Sequence, residues 1–211
     1  MQTRPVPAGD FSSWLQNTRD ALLHDHGIEV PCGECTACCH SSYFIHIQPN
    51  EIETLARIPK ELQFPAPGLP KGHVLLGYDE QGRCPMFDGN GCSIYEHRPL
   101  TCRTYDCRFF TATGLLENDA SKTMIDEQVQ RWEFNYPTQL DRSEQQAVLD
   151  AVVFLQKFGK HFPAWVVPSK LAVFAIKVYQ VFIDQKNTSI SDLEKVKVVM
   201  TAFNQFNKNA G

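Results

Sequence analysis

The placement of the cysteines restricts this chain more than any other feature. All eight lie between residues 32 and 107 of a 211-residue sequence, and the remaining residues include none. They are Cys32, Cys35, Cys38, Cys39, Cys84, Cys92, Cys102 and Cys107. A loop-rich segment with so many thiols buries little apolar surface by itself, so it is typically held together by disulfides or by a bound metal.

The rest of the sequence favours metal over disulfides. Residues 1–10 contain one arginine and no apolar run, so they lack the pattern of a secretory signal. The longest apolar stretch, residues 171–183, is interrupted by Lys177 and Gln180 and is shorter than the ~20 residues that cross a bilayer. We therefore expect a cytoplasmic protein with no membrane partner. Clustered cysteines in that reducing compartment indicate metal or redox chemistry.

The charge distribution argues against nucleic acid as a partner. The formal net charge is −4, and the basic residues are scattered along the sequence. Proteins that neutralise phosphates usually concentrate positive charge on one face. The chain is also long enough to bury an ordinary core.

Hydrophobic spacing predicts three parts: an N-terminal helical segment (1–31), a cysteine-rich metal-binding lobe (32–116) and a helical region (117–211). In the first part, residues 10–26 present Phe11, Trp14 and Leu15 on one helical face. The lobe is rich in glycine and proline, and we expect strands at 43–47 and 74–78 with one small helix at 50–58. The predicted fold class is α+β, predominantly α, with the lobe packed on the helices.

The helical region has its own start signals. The spacing of Ile125, Val129 and Trp132 predicts one helix, and Pro168 can begin another. Capping boxes are expected at Asp141 with Glu144 and at Ser191 with Glu194. Trp132, Phe154, Phe174 and Phe203 have the spacing of ordinary core residues.

The cysteines form two groups of four. In Cys32-Gly-Glu-Cys35-Thr-Ala-Cys38-Cys39, a short loop can direct several sulfurs toward one centre. Adjacent Cys38 and Cys39 point in different directions in most backbone conformations, so one of them can ligate a second centre or remain unused. Two separate four-cysteine sites fit these groups. So does one centre with three ligands from the first loop and one from the later group.

The metal is zinc or iron on this evidence. C-x2-C-x2-C resembles the ferredoxin run that holds an iron–sulfur cluster, whereas eight thiols also fit paired zinc sites. Zinc ribbons usually have two C-x2-C knuckles, and only the first group here has that spacing, which favours iron.

Groups around the thiols can tune such a centre. Arg98, Arg103 and Arg108 can offset the net negative charge of a metal–thiolate centre, although ordinary surface ion pairs explain them equally well. His40 follows Cys39 directly and is a candidate nitrogen ligand or proton carrier. His46, His73 and His97 lie in the same segment, where the ordinary role is a hydrogen-bonded or surface histidine.

Longer motifs carry a family resemblance. The Cys32–Cys39 loop is followed by Arg83-Cys84-Pro85-Met86-Phe87 and by Gly91-Cys92-Ser93-Ile94-Tyr95-Glu96-His97-Arg98-Pro99-Leu100-Thr101-Cys102-Arg103. Together they resemble the YkgJ-type cysteine-cluster family, a zinc- or iron-chelating domain with the signature CxxCxxCC, over about residues 32–110. The resemblance implies chelation by Cys32, Cys35, Cys38, Cys39, Cys84, Cys92 and Cys102, with Cys107 as the eighth ligand. It implies no particular reaction.

Three functions are compatible with these observations. The first is a cytosolic metal-binding protein whose centre serves redox chemistry, metal handling or fold stabilisation. The second is a metal- or iron–sulfur-dependent enzyme, such as a protein-modifying activity, with His40, Tyr105 and Asp106 as candidates for proton transfer. The third is a structural zinc lobe that presents a helical surface to a partner protein. The sequence identifies no catalytic residue.

Overall fold

The computed structural model describes residues 4–24, 26–162, 167–183 and 190–209. The chain divides into two compact units, each built from separate stretches of sequence. The helical unit comprises Met1–Asp25, Asp106–Glu117 and Val129–Gly211, and the cysteine lobe comprises His26–Tyr105 and Asn118–Gln128. The three-part division drawn from the sequence stays a prediction.

In chain order, the helices and strands of the described residues are β1 (Val6–Asp10), α1 (Phe11–His24), β2 (Ile45–Ile47), α2 (Ile52–Arg57), β3 (Phe64–Pro65), β4 (Val74–Leu76), α3 (Leu100–Thr104), α4 (Arg108–Thr113), α5 (Thr123–Val129), β5 (Trp132–Asn135), α6 (Gln139–Lys157), α7 (Pro168–Val178), α8 (Gln180–Ile183) and α9 (Asp192–Asn209). Short 3₁₀ helices include Ala37–His40, Tyr95–His97 and Ala120–Lys122. The predicted class, α+β and predominantly α, is confirmed. Within these described ranges, no helix is both long and apolar enough to cross a membrane.

The start of α6 differs from the prediction. We expected a capping box at Asp141 with Glu144, but Thr138 is the N-cap and Asp141 is its partner three residues later. The Thr138 hydroxyl accepts from the Asp141 N–H, and the Asp141 carboxylate accepts from the Thr138 N–H at 2.9 Å. Glu144 is instead buried, and it accepts a hydrogen bond from the Tyr179 hydroxyl at 3.0 Å. The predicted box at Ser191 with Glu194 and the start of α7 at Pro168 are both observed.

Trp132 was wrongly predicted to continue a helix. The helix α5 ends at Val129, and Trp132 begins β5, which pairs in parallel with β1 with Val6 opposite Trp132. The alternation of apolar and polar residues over Trp132–Asn135 is the signal of a half-buried strand, but it covers only four residues, and Trp132 also continues the helical spacing of Ile125 and Val129, which explains the error. The pairing fixes the Trp132 indole in the interior of the helical unit, where it is 4% exposed.

The core of the helical unit is the predicted hydrophobic bundle. It is formed by buried side chains of α6, α7, α8 and α9, among them Leu155, Phe174, Ala175, Val178 and Val199. Phe154 is buried there too, and Phe203 packs on Phe174 with 4.0 Å between ring centroids. We attribute no chemistry to these rings.

The cysteine lobe is built on a small antiparallel sheet in the order β2-β4-β3. Ile45 and Ile47 of β2 lie opposite Leu76 and Val74 of β4, close to the strands predicted at 43–47 and 74–78. The lobe core contains Ile47, Ile58, Leu76 and Ile94, and Cys84 and Cys92 pack against it. Two of the eight thiols therefore adjoin the apolar core of this lobe.

Candidate metal centre

The first cysteine group lies on a loop of tight turns. The Cys35 N–H donates to the Cys32 carbonyl at 3.1 Å, and the Cys39 N–H donates to the Thr36 carbonyl at 2.8 Å. Cys38 and Cys39 belong to the 3₁₀ helix Ala37–His40. Cys38 is exposed, whereas Cys32, Cys35 and Cys39 are half-buried. The adjacent pair thus differs in solvent exposure, in keeping with side chains that point in different directions.

A backbone hydrogen bond joins the second group to the first. The Cys84 N–H donates to the Cys39 carbonyl at 2.8 Å, which places these two residues side by side. The chain then turns back at Asp88, whose carboxylate accepts from the N–H groups of Asn90 and Gly91. A bridge between Phe87 and Cys92 closes this turn, so Cys84 and Cys92 lie on its two arms.

Cys102 comes from α3, which is anchored to the sheet and to the segment before α2. The Thr101 hydroxyl donates to the His46 carbonyl of β2 at 2.6 Å, and the Leu100 N–H donates to the Glu51 carboxylate at 2.6 Å. The Cys102 N–H donates to the Pro99 carbonyl at 2.9 Å. Two polar anchors therefore hold the helix that presents this thiol.

Electrostatics show which thiols share an environment. Burial and, to a smaller extent, the neighbouring thiols of Cys84, Cys92 and Cys35 together raise the pKa of the Cys39 thiol to about 12. Burial also raises the pKa of Cys102 to about 12, again with contributions from Cys84, Cys92 and Cys39. The pKa of Cys84 is raised by burial and by Cys92, although the Met86 N–H opposes this. Cys39, Cys84, Cys92 and Cys102, which we call the inner thiols, are therefore mutual neighbours.

The donor chemistry of this group suits a soft metal ion. None of the eight cysteines, all of which lie within the described residues, forms a disulfide, and a desolvated thiol is well satisfied by a cation that replaces its proton. Within the part of the chain that the structure describes, no three cysteine sulfurs lie within 4.8 Å of one another. Sulfurs on one tetrahedral zinc ion are separated by about 3.8 Å, given Zn–S bonds of about 2.3 Å. The side chains must therefore close around a single ion, whereas a larger iron–sulfur core requires less movement.

Cys107 has a different environment from the other seven cysteines. It belongs to the helical unit, where it precedes α4 and is 6% exposed. Its sulfur accepts a hydrogen bond from the Trp132 indole N–H at 3.1 Å. The structure thus places one predicted ligand beside an aromatic side chain of the helical unit, and the other seven in the cysteine lobe.

The three arginines proposed to surround the centre have three different environments. Arg98 lies over the Tyr95 ring at 4.0 Å, and its charge opposes part of the rise in the pKa of Cys102 that burial causes. Arg103 is 3.9 Å from the Glu51 carboxylate, and its buried Nε–H has no acceptor among the described residues. Arg108 belongs to the helical unit and forms a 2.8 Å ion pair with Asp106. Arg98 and Arg103 remain candidates to neutralise thiolate charge in the lobe.

The three candidate residues for proton transfer also lie in different environments. His40 packs edge-on against Phe87, with 4.5 Å between centroids, and lines an open cleft with Ser42, Glu80 and Ser121. The Tyr105 hydroxyl lies 3.5 Å from that of Tyr43. Asp106 is fully buried and accepts from the Trp14 indole at 2.9 Å in addition to its Arg108 ion pair. Of the three, His40 is the one next to a cysteine of the inner thiols.

Thiols from three separate stretches of chain give the lobe the donor set of a cysteine-rich metal-chelating domain. Residues 31–133 match the model of the CxxCxxCC family, whose description is "Putative zinc- or iron-chelating domain". The resemblance noted in the sequence is thereby confirmed. The match reaches past the lobe to include both Cys107 and Trp132. Comparison with curated proteins and with solved structures gives no match.

Proposed function

We propose that this protein chelates zinc or iron through the inner thiols Cys39, Cys84, Cys92 and Cys102, in a cytoplasmic setting. The observation that carries the proposal is the raised pKa of the Cys39, Cys84 and Cys102 thiols, to which burial contributes most and the neighbouring thiols, Cys92 among them, contribute further. Four neutral thiols crowded in a poorly solvated space make few favourable interactions. A metal ion converts them to thiolates and satisfies all four at once.

The remaining cysteines have subsidiary roles in this proposal. Cys35 is near enough to Cys39 to raise its pKa, so it is the alternative ligand from the first loop. Cys38 is exposed and Cys32 is half-buried, and in this proposal they exchange metal or bind a second ion. Cys107 is a structural partner of Trp132. This assignment differs from both arrangements considered for the sequence, because one cysteine of the first loop joins three of the second group.

The metal also stabilises the lobe. Cys84 and Cys92 pack against Ile47, Ile58, Leu76 and Ile94, so an ion that holds these cysteines fixes the walls of that small core. Binding energy of a structural metal counts directly toward folding, on the order of 10 kcal/mol in small zinc domains. This observation favours fold stabilisation as one role of the centre, beside metal handling or redox chemistry.

The decisive experiment is metal analysis of anaerobically purified protein, combined with its visible spectrum. We expect about one equivalent or more of iron plus zinc per chain, and a brown protein if the metal is an iron–sulfur cluster. Cys39→Ser and Cys102→Ser should each lower the metal content, and Cys107→Ser should not. Equal metal content in all three variants would show that the inner thiols are not the ligands.

A further inference from the structure

Two histidines of the cysteine lobe lie together on the outer face of the small sheet. His46 of β2 is opposite Leu75 of β4, and His73 is two residues before Leu75. Residues two apart on a strand share a face, so His73 is the diagonal neighbour of His46. Ile47 and Leu76, which follow His46 and Leu75 on their strands, belong to the lobe core. Both imidazoles therefore lie on the half-buried face opposite this core.

The two rings meet at their nitrogen atoms. The distance between His46 Nε2 and His73 Nδ1 is 2.9 Å, the ring planes are within 5° of parallel, and the centroids are 5.1 Å apart. Without a metal, one nitrogen donates a hydrogen bond to the other. Two nitrogens bound to the same ion at about 2.0 to 2.1 Å also lie about 3 Å apart. The spacing of the pair is thus already that of neighbouring ligands.

The backbone on both sides of the pair is fixed. The His46 carbonyl accepts from the Thr101 hydroxyl, the His73 carbonyl accepts from the Ala66 N–H at 3.0 Å, and the His73 N–H donates to the Pro70 carbonyl at 3.3 Å. Ligands held in place by their own backbone lose little conformational freedom on binding. Only a tilt of the two rings is needed to aim both lone pairs at one point.

We propose that His46 and His73 form a binding site for a divalent ion of intermediate softness, such as Ni²⁺, Cu²⁺ or Zn²⁺. Neutral imidazole is the preferred protein ligand of these ions, and the partial exposure of the pair leaves room for water to complete the coordination. The protein supplies only nitrogen ligands to this site. It is chemically distinct from the thiol centre and does not depend on the assignment of the inner thiols.

The test uses Ni²⁺ as the probe and the protein purified with its thiol-bound metal in place. Calorimetric titration with NiCl₂ should detect one site, and paramagnetic Ni²⁺ should broaden the NMR signals of both imidazoles in the unaltered protein. His46→Gln and His73→Gln should each weaken Ni²⁺ binding by more than about tenfold, because loss of a group that merely orients a ligand already costs about that much. His97→Gln is the matched control, because His97 lies in the same lobe but is 3.3 Å from the Glu53 carboxylate.

Three results would overturn the proposal. Ni²⁺ affinity that is the same in the two variants and the control would exclude the pair as ligands. Intense thiolate-to-nickel absorption without broadening of the imidazole signals would place the ion at the cysteines. Unbroadened imidazole signals at saturating Ni²⁺ would exclude the site without recourse to any variant.

Discussion

Metal binding by the inner thiols should depend steeply on pH. Cys39 and Cys102 have pKa values raised to about 12, so both hold their protons throughout the neutral range when no metal is bound. A metal takes each ligand as a thiolate, and each proton released makes the apparent affinity rise about tenfold per pH unit. These two thiols alone predict a slope of about two in log K against pH. Release of one proton from each of four thiols predicts a slope of about four.

Competition for Zn²⁺ with a chromophoric chelator measures this slope under anaerobic conditions between about pH 6.5 and 7.5, where ordinary thiols are also protonated. Replacement of Cys102 by serine removes one ligand thiol, so the slope should fall by about one unit. The Cys107→Ser variant serves as the matched control and should retain the full slope, because its sulfur is paired with the Trp132 indole. A slope near zero in the unaltered protein would mean that binding displaces no thiol protons, and the reasoning from desolvated thiols would be wrong.

Three further outcomes are expected. Metal-free protein should lose stability as the pH rises from about 9 toward 12, because Cys39 and Cys102 ionise near 9.0 when unfolded but at about 12 when folded, and urea titrations at several pH values would detect it. Unchanged stability over that range would contradict the raised pKa values. Asp106→Asn should destabilise the protein by about 3 to 5 kcal/mol, because it leaves the Arg108 guanidinium buried without its counter-charge, whereas the exposed control Asp150→Asn should have little effect in the same denaturation assay. A similar loss in both variants would argue against the buried ion pair. Thr138→Ala should cost about 1 kcal/mol through loss of the α6 cap, and unfolding at the same midpoint as the unaltered protein would show that the cap is unimportant.

Local signals in the sequence were sufficient for several elements. Pro168 at the start of α7 and Ser191 with Glu194 at the start of α9 act within one turn of helix, so their effect does not depend on distant residues. The same kind of signal misled at α6, because Asp141 can be the first or the last member of a capping box. Thr138 provides the hydroxyl that decides between the two.

Such local signals could not predict the pairing of β1 with β5. Val6 and Trp132 are far apart in sequence. Residues Trp132–Asn135 do alternate apolar and polar side chains, as in a half-buried strand, but so short a run does not identify β1 as its partner. The burial of Asp106 could not be predicted for a similar reason. Its partners Trp14 and Arg108 come from α1 and α4, and no spacing rule relates the Trp14 and Asp106 positions.

The sequence by itself determined that this chain has a metal-chelating lobe, because the identity and crowding of thiols between Cys32 and Cys102 specify soft-ion chemistry whatever the fold. It also determined the helical bundle, through apolar periodicity that any packing must satisfy. Only the tertiary structure decided which sulfurs are neighbours. Cys39 meets Cys84 through a backbone hydrogen bond between distant loops, and Cys107 lies beside Trp132 because a strand pairing fixes that indole in the helical unit. Contacts between remote segments depend on the packing of the whole unit, and spacing along the chain does not encode them.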